Sequence, residues 1–314
     1  MMTPQSPDQM DLQFLDGAIP IISPNCADIA PPSVELKRFP DGESYCRLER
    51  IEGLTGRDVV ILHRLFPDPD QNLVILLQMM YGAKENGVRD IYLIIPYLPY
   101  ARADKAWLSG EVVSARLLVR LLQISGAKRI FTWDCHFVKK FGTYEYEGVP
   151  ITNLCMGPEL VEFLRSARPE STVVSPDAGA KYLVGENGLF MRKERGAYAG
   201  GDHAFRPVAK MDADFEVSGQ HIILVDDMIA GGGTMVKATQ KMMDMGASSV
   251  SCAATHGLFL HGALDKLHTS GVTRIITSDT IPNAAALISI RGHVEKILRA
   301  TGHFEPDMPR VSGT

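Results

Sequence analysis

Short apolar runs and longer stretches of helical spacing take turns along this chain. The runs are 58–62 (DVVIL), 90–96 (DIYLIIP), 127–133 (AKRIFTW), 171–175 (STVVS), 221–225 (HIILV), 248–255 (SSVSCAAT) and 273–277 (TRIIT). They are largely continuous rather than alternating, which is the pattern of strands covered on both faces, as in parallel sheets. Between them, 72–87, 112–126 and 232–246 repeat apolar residues at helical spacing. These stretches end on Gly87, Gly126 and Gly246, where a helix uses a glycine just past its last turn. The alternation predicts a doubly wound α/β architecture with mainly parallel sheets.

The strands form two groups, one ending near Pro150 and the other beginning near Gly157. This predicts two similar α/β domains, 11–155 and 156–290. A final segment, 291–314, has a helix at about 291–300 that could pack on either domain. A chain of 314 residues suits two domains. Residues 1–10 read as a disordered tail. The Gly-rich stretch 194–207 (ERGAYAGGDHAFRP) reads as a long mobile loop, and loops of that length are usually functional or disordered.

Composition narrows the classes. The net charge of −5, with both signs mixed along the chain, gives no basic stripe for nucleic acid. Local charge could still favour a small anionic substrate. Cys26, Cys46, Cys135, Cys155 and Cys252 are odd in number and form no C-x-x-C pair. A disulfide framework and a zinc knuckle are both poor fits, so free thiols in a reducing compartment are expected. The N-terminus has no secretory pattern, and the longest apolar run, 91–98, is too short to span a bilayer. A cytoplasmic protein without membrane contact is expected.

The most informative segment is 221–238 (HIILVDDMIAGGGTMVKA). An apolar strand leads to Asp226 and Asp227, then to Ala230, Gly231, Gly232, Gly233 and Thr234, and then to a helix. Ligands of open α/β sheets bind beyond the carboxyl ends of strands. Glycines let successive N–H groups converge on a phosphate, and a helix start adds its positive dipole end. The aspartates would repel a phosphate. They suit sugar hydroxyls, bound directly or through hydrated Mg²⁺. A plain tight turn would explain the glycines but not the paired acids. The chain has no Gly-Lys pair and therefore no Walker phosphate loop.

This segment resembles the phosphoribosyl-diphosphate motif of type I phosphoribosyltransferases and of ribose-phosphate diphosphokinases. Further segments are similar to the diphosphokinases in particular. Residues 38–43 (RFPDGE) resemble the family's loop to the adenine of ATP, which implies base contacts from Phe39, Asp41 and Glu43; a simple β-turn at Pro40-Asp41-Gly42 is the alternative. Residues 97–105 (YLPYARADK) resemble the segment that meets the triphosphate, which implies Arg102 and Asp104, with Ala103 where the family often has glutamine. Asp134-Cys135-His136 resembles the family's Asp-x-His, which implies that His136 contacts ATP and metal, although 137–150 departs from the bacterial pattern. Residues 174–179 (VSPDAG) imply Asp177 as a second metal ligand. Residues 254–259 (ATHGLF) and 278–282 (SDTIP) resemble supporting elements of the sugar-phosphate domain. Lys193 and Arg195 occupy the family's Lys-x-Arg, with Glu194 between them, which implies a basic catalytic pair.

The resemblance implies an enzyme that moves the β,γ-diphosphoryl group of ATP to the 1-hydroxyl of ribose 5-phosphate, with Mg²⁺. The N-terminal domain would take ATP, the C-terminal domain would take ribose 5-phosphate, and the assembly would be a dimer-based homo-oligomer. A phosphoribosyltransferase would keep 222–234 but have no reason for 38–43 and 97–105. A non-catalytic regulatory paralogue is the other rival, and Ala103 and the altered 137–150 leave room for it.

Overall fold

The computed structural model describes residues 10–49, 51–185, 188–195 and 208–304, with the side chains of 193–195 and 208–210 not described. The expected tail, 1–10, lies almost wholly outside these residues, as does most of the expected loop, 194–207. The chain divides into two compact units, Met1–Leu154 with Ile290–Thr314, and Cys155–Ser289.

The first unit contains β1 (Ile19–Ile22), β2 (Val34–Arg38), β3 (Ser44–Leu48), β4 (Val59–Leu62), α1 (Pro69–Glu85), β5 (Ile91–Ile94), α2 (Ser114–Ile124), β6 (Ala127–Trp133), β7 (Gly142–Tyr146) and β8 (Val149–Leu154). Its main sheet has the order β1-β4-β5-β6-β8-β7, parallel except for β7, which pairs antiparallel with β8. Every residue of β4 and β5 is buried, which is why these runs are continuously apolar. One face packs on α1 and α2 through Leu76, Met79, Met80, Leu118, Val119 and Leu122. On the other face, Phe14 stacks over Phe131, and the Trp133 indole N–H donates to His293 Nδ1 at 3.0 Å. His293 belongs to the last helix, α6 (Arg291–Arg299), so α6 joins the N-terminal unit. Helices on both faces make the sheet doubly wound. Strands β2 and β3 form a separate antiparallel hairpin.

The second unit contains α3 (Gly157–Ala167), β9 (Thr172–Ser175), β10 (Leu189–Phe190), β11 (Arg192–Arg195), β12 (Val208–Asp212), β13 (His221–Ile229), α4 (Gly233–Asp244), β14 (Ser249–Gly257), α5 (Ala263–Thr269), β15 (Val272–Ser278) and β16 (Ala286–Ile288). Its six strands run in the order β10-β9-β13-β14-β15-β16, all parallel. Met235, Ala238 and Met242 of α4 and Leu267 of α5 share one apolar cluster with Ile222, Leu224 and Cys252. Arg274 of β15 lies over the Phe163 ring of α3.

Two expectations need correction. The strand expected at 221–225 continues through both aspartates to Ile229, because Asp226 pairs with Ala254 and Ile229 with Gly257 in the ladder of β14. The loop expected at 194–207 is not loop at its start. Residues 192–195 form a strand paired with 208–212, with a bulge between Glu194 and Arg195. No helix among the described residues is long and apolar enough to cross a membrane.

Beyond β4, two ionisable groups are buried. The Arg64 guanidinium makes two bonds to the Asp28 carboxylate, at 2.5 and 2.9 Å, and one to the Asn25 carbonyl at 2.8 Å. The His63 ring contacts Ser23 Oγ through Nδ1 (2.8 Å) and the Asn72 carbonyl through Nε2 (3.0 Å). A carbonyl can only accept, so Nε2 carries the proton and the neutral ring accepts from Ser23 through Nδ1. Burial pushes the His63 pKa down from 6.5 to about 4. Between those values the unfolded chain binds the extra proton, so stability rises with pH.

The native protein should therefore lose roughly 3 kcal/mol as pH falls from about 6.5 to 4 through this group. Denaturant titrations at pH 7 and pH 5 check this: His63→Gln should flatten the pH slope. An unchanged slope would show that His63 is not its source.

Candidate active site

The predicted site residues lie at or beyond the carboxyl ends of parallel strands, where open α/β sheets bind ligands, except 38–43 on the antiparallel β2–β3 hairpin and Lys193 and Arg195 in the antiparallel β11–β12 pair. In the C-terminal unit β13 ends at Ile229, and the chain turns through Ala230, Gly231 and Gly232 into α4. Gly232 is the N-cap, with φ +77°. A Cβ there would also lie 3.2 Å from the Ala263 side chain. Gly231 and Gly233 differ: neither has a left-handed φ, and an added Cβ would meet nothing within 4 Å. Neither contacts nor backbone conformation within the folded chain demand glycine at these two places.

Three carbonyls at the turn accept main-chain hydrogen bonds. Ile229 accepts from the amides of Leu258 and Phe259, Ala230 from Leu260 at 2.9 Å, and Gly232 from Val236 at 2.9 Å. Among the described residues, the amides of Gly231, Gly232 and Gly233 have no main-chain acceptor. Helix α4, like α2 and α6, has no acid in its first turn. The positive end of α4 is thus left for an anion.

Asp226 and Asp227 are buried at 8% and 7% exposure, and the Asp227 amide donates to Asp226 Oδ1 at 3.0 Å. Successive strand residues leave on opposite faces. Asp226 shares its side with Leu224 of the α4-facing cluster and raises the pKa of the neighbouring Cys252 thiol, which burial chiefly pushes up to about 12. Cys26 is likewise pushed up to about 12 and Cys46 to about 11 by burial. These thiols are not activated nucleophiles. All five cysteines are free.

The neighbouring strand β9 leads to Asp177, which is half-buried. Its Oδ1 accepts from the amides of Gly179 (2.8 Å) and Ala180 (3.3 Å). The Met191 amide donates to the Ser175 carbonyl at 2.9 Å, so the arm bearing Lys193 and Arg195 starts from the same sheet end. The side chains of these two residues lie outside the described residues.

On the other flank, a buried polar network ties β14 to β15. His256 Nδ1 lies 2.9 Å from Thr280 Oγ1, and Ser278 and Thr280 both donate to the Thr255 carbonyl, at 2.7 and 2.9 Å. This matches the supporting role expected of 254–259 and 278–282. The part played by 258–260 in orienting the glycine turn was not foreseen. The available signal was Gly257, where a Cβ would lie 2.6 Å from the Phe259 ring.

In the N-terminal unit, residues 38–43 cap the β2–β3 hairpin. The Gly42 amide donates to the Phe39 carbonyl at 2.9 Å and Glu43 N–H to Asp41 Oδ1 at 3.1 Å, so the segment is a β-turn. The turn presents Phe39 at 48% exposure, edge-on to Tyr45. After β5, Tyr97 is buried while Arg102 is exposed and Asp104 half-buried. Ala103 anchors this segment through its main chain: its amide donates to Tyr100 O at 2.8 Å and its carbonyl accepts from Ala115 at 3.2 Å. Neither bond needs a glutamine side chain. After β6, the Cys135 amide donates to Asn153 Oδ1 (2.8 Å), and Asn153 Nδ2 donates to the Lys140 carbonyl (2.7 Å). One asparagine of β8 thus holds both sides of the turn carrying His136.

The structure brings Asp177, Asp226, Asp227 and 230–234 to one end of one sheet, and 97–105 and His136 to the carboxyl end of the other. Residues 25–126 match the family described as the N-terminal domain of ribose phosphate pyrophosphokinase, and residues 206–297 match the phosphoribosyl synthetase-associated domain. The chain is 34% identical over 272 residues to a ribose-phosphate pyrophosphokinase of Methanopyrus kandleri, covering 84% of this chain and 88% of that one. Its identity to one of Sulfolobus acidocaldarius is 33% over 273 residues, covering 85% and 90%. The crystal structure of phosphoribosylpyrophosphate synthetase from Mycobacterium smegmatis is similar with a TM-score of 0.72 and 26% identity, covering 91% of this chain and 98% of that one.

The two kinds of glycine in the turn should separate on mutation. Gly231→Ala should fold with near-native stability, but its Cβ should push the phosphate off an amide and weaken ribose 5-phosphate binding about tenfold or more, the worth of a hydrogen bond to a charged group. Gly232→Ala should lower Tm because alanine is strained at its φ. Calorimetry and thermal melts of both variants check this; native sugar-phosphate affinity in Gly231→Ala would contradict it.

Proposed function

The chain belongs to the ribose-phosphate pyrophosphokinase family, and from that premise we propose how its residues divide the reaction. The protein is a ribose-phosphate diphosphokinase: it converts ATP and ribose 5-phosphate to 5-phosphoribosyl 1-diphosphate and AMP. The observation that carries the reading for this chain is the β13–α4 turn, where the amides of Gly231, Gly232 and Gly233 have no main-chain acceptor among the described residues and follow two buried acids.

The C-terminal unit takes ribose 5-phosphate. The amides of 230–234 hold the 5-phosphate, and Asp226 and Asp227 accept from the sugar hydroxyls. The N-terminal unit takes ATP. Phe39 lies against the adenine, Asp41 and Glu43 accept from its amino group, and Arg102 pairs with the phosphates with Asp104 beside it. The 1-hydroxyl oxygen bonds to the β-phosphorus as the bond to the α-phosphate oxygen breaks, and AMP leaves. Positioning and electrostatics carry the rate, and no covalent nucleophile is needed. Lys193 and Arg195 neutralise charge on the transferring group. Their support is the arm itself, which starts at the Asp177 end of the sheet.

Magnesium fits this arrangement. Among the described residues no cluster of three or more His, Cys, Asp or Glu could hold a metal by itself. Mg²⁺ usually takes one or two protein ligands and the rest from substrate phosphates and water. His136 in the N-terminal unit and Asp177 in the C-terminal unit would each be a single donor of that kind. When bound, the ion neutralises and orients the ATP phosphates.

We further place the protein in the cytoplasm, in keeping with five free thiols. We also propose a dimer-based homo-oligomer. Leu117 and Ile124, seven residues apart on α2 at 53% and 79% exposure, offer an apolar contact row.

The assay that tests this is AMP release from ATP, which should require both ribose 5-phosphate and Mg²⁺. Lys193→Ala should cut kcat by about 10²–10³-fold, as loss of one transition-state donor does, while ribose 5-phosphate affinity stays native. An equal loss of affinity would place Lys193 in sugar binding instead.

A further inference from the structure

The two segments assigned to ATP, 38–43 and 97–105, are far apart in sequence, yet one turn of helix holds both. Asp70 and Gln71 follow Pro69 at the start of α1. The Tyr100 hydroxyl donates to Asp70 Oδ1. The Arg38 guanidinium donates to Gln71 Oε1. The hairpin then lies along the same helix, with Gln78 Nε2 donating to the Ser44 carbonyl at 3.0 Å. Tyr100 sits at φ +60°, a conformation that a bulky residue keeps only where its surroundings impose it. The bond to Asp70 and the Ala103 amide on its carbonyl are two such restraints.

We propose that the first turn of α1 is a positioning clamp for the nucleotide. Asp70 acts through Tyr100 on the triphosphate-side segment, and Gln71 acts through Arg38 on the adenine-side hairpin. The two loops are thereby held at the spacing that one extended ligand requires. Pre-ordered loops save the ordering cost otherwise met on binding. The inference rests on the assignment of ATP to these segments. The simpler role for Asp70 is that of an acid at a helix start, favourable to the dipole. That role would move the melting temperature and leave nucleotide affinity alone.

Steady-state kinetics of the full chain, with thermal melts, separate the two. Asp70→Ala and Tyr100→Phe should each raise KM for ATP about three- to tenfold, the worth of one hydrogen bond. KM for ribose 5-phosphate and Tm should stay native. The double variant should be no worse than the more affected single, because both remove one bond. Gln71→Ala should likewise raise KM for ATP, and Gln71→Glu, which still accepts from Arg38, should restore it. Unchanged KM for ATP in these variants, or a matched rise for both substrates with a fall in Tm, would overturn the clamp. Wild-type protein that forms no AMP in response to ribose 5-phosphate would overturn the functional reading and the clamp with it.

Discussion

The register of β13 against β9 and β14 is the constraint on which the candidate site depends. Leu224 lies level with Val174 on one side and Cys252 on the other, and the ladder to β14 then runs on to Ile229. Those extra pairings carry Asp226 and Asp227 inside the strand and deliver the glycine turn at a fixed height beyond the sheet. A one-residue slip would exchange the faces of the two acids and move the turn. The sheet therefore sets the geometry, and the loops supply the chemistry.

The electrostatics follow from that placement. The carbonyls of Ile229, Ala230 and Gly232 accept from 258–260 and from the first bond of α4, while the amides of Gly231, Gly232 and Gly233 have no main-chain acceptor among the described residues. The α4 start, like those of α2 and α6, has no acid in its first turn. Two carboxylates stand one turn back, where they suit hydroxyls and would repel phosphate. A sugar phosphate satisfies both halves at once; a bare phosphate or a neutral sugar satisfies only one.

Much of this was legible in the sequence, for physical reasons. Strands buried on both faces leave continuous apolar runs, and 59–62, 91–94 and 127–133 were read nearly to the residue. Gly87, Gly126 and Gly246 marked helix ends because each takes a left-handed φ there. Edges were harder. Pro20 hid β1, which tolerates proline because it is an edge strand. Strand β7 alternates half-buried and exposed residues and has no apolar run to betray it. Arg192–Arg195 reads as a charged loop, because its pairing partner begins only at Val208. The site's acids and glycines were legible as residue types in order, whereas Asp70 and Gln71 were not, since a helix start gives no hint of which distant loop rests on it.

The most direct measurement is a crystal structure with ribose 5-phosphate bound. The account requires the 5-phosphate oxygens within hydrogen-bonding distance of the main-chain amides of 231–234, with a ribose hydroxyl on Asp226 or Asp227. A sugar phosphate seated elsewhere, with that turn vacant, would contradict it.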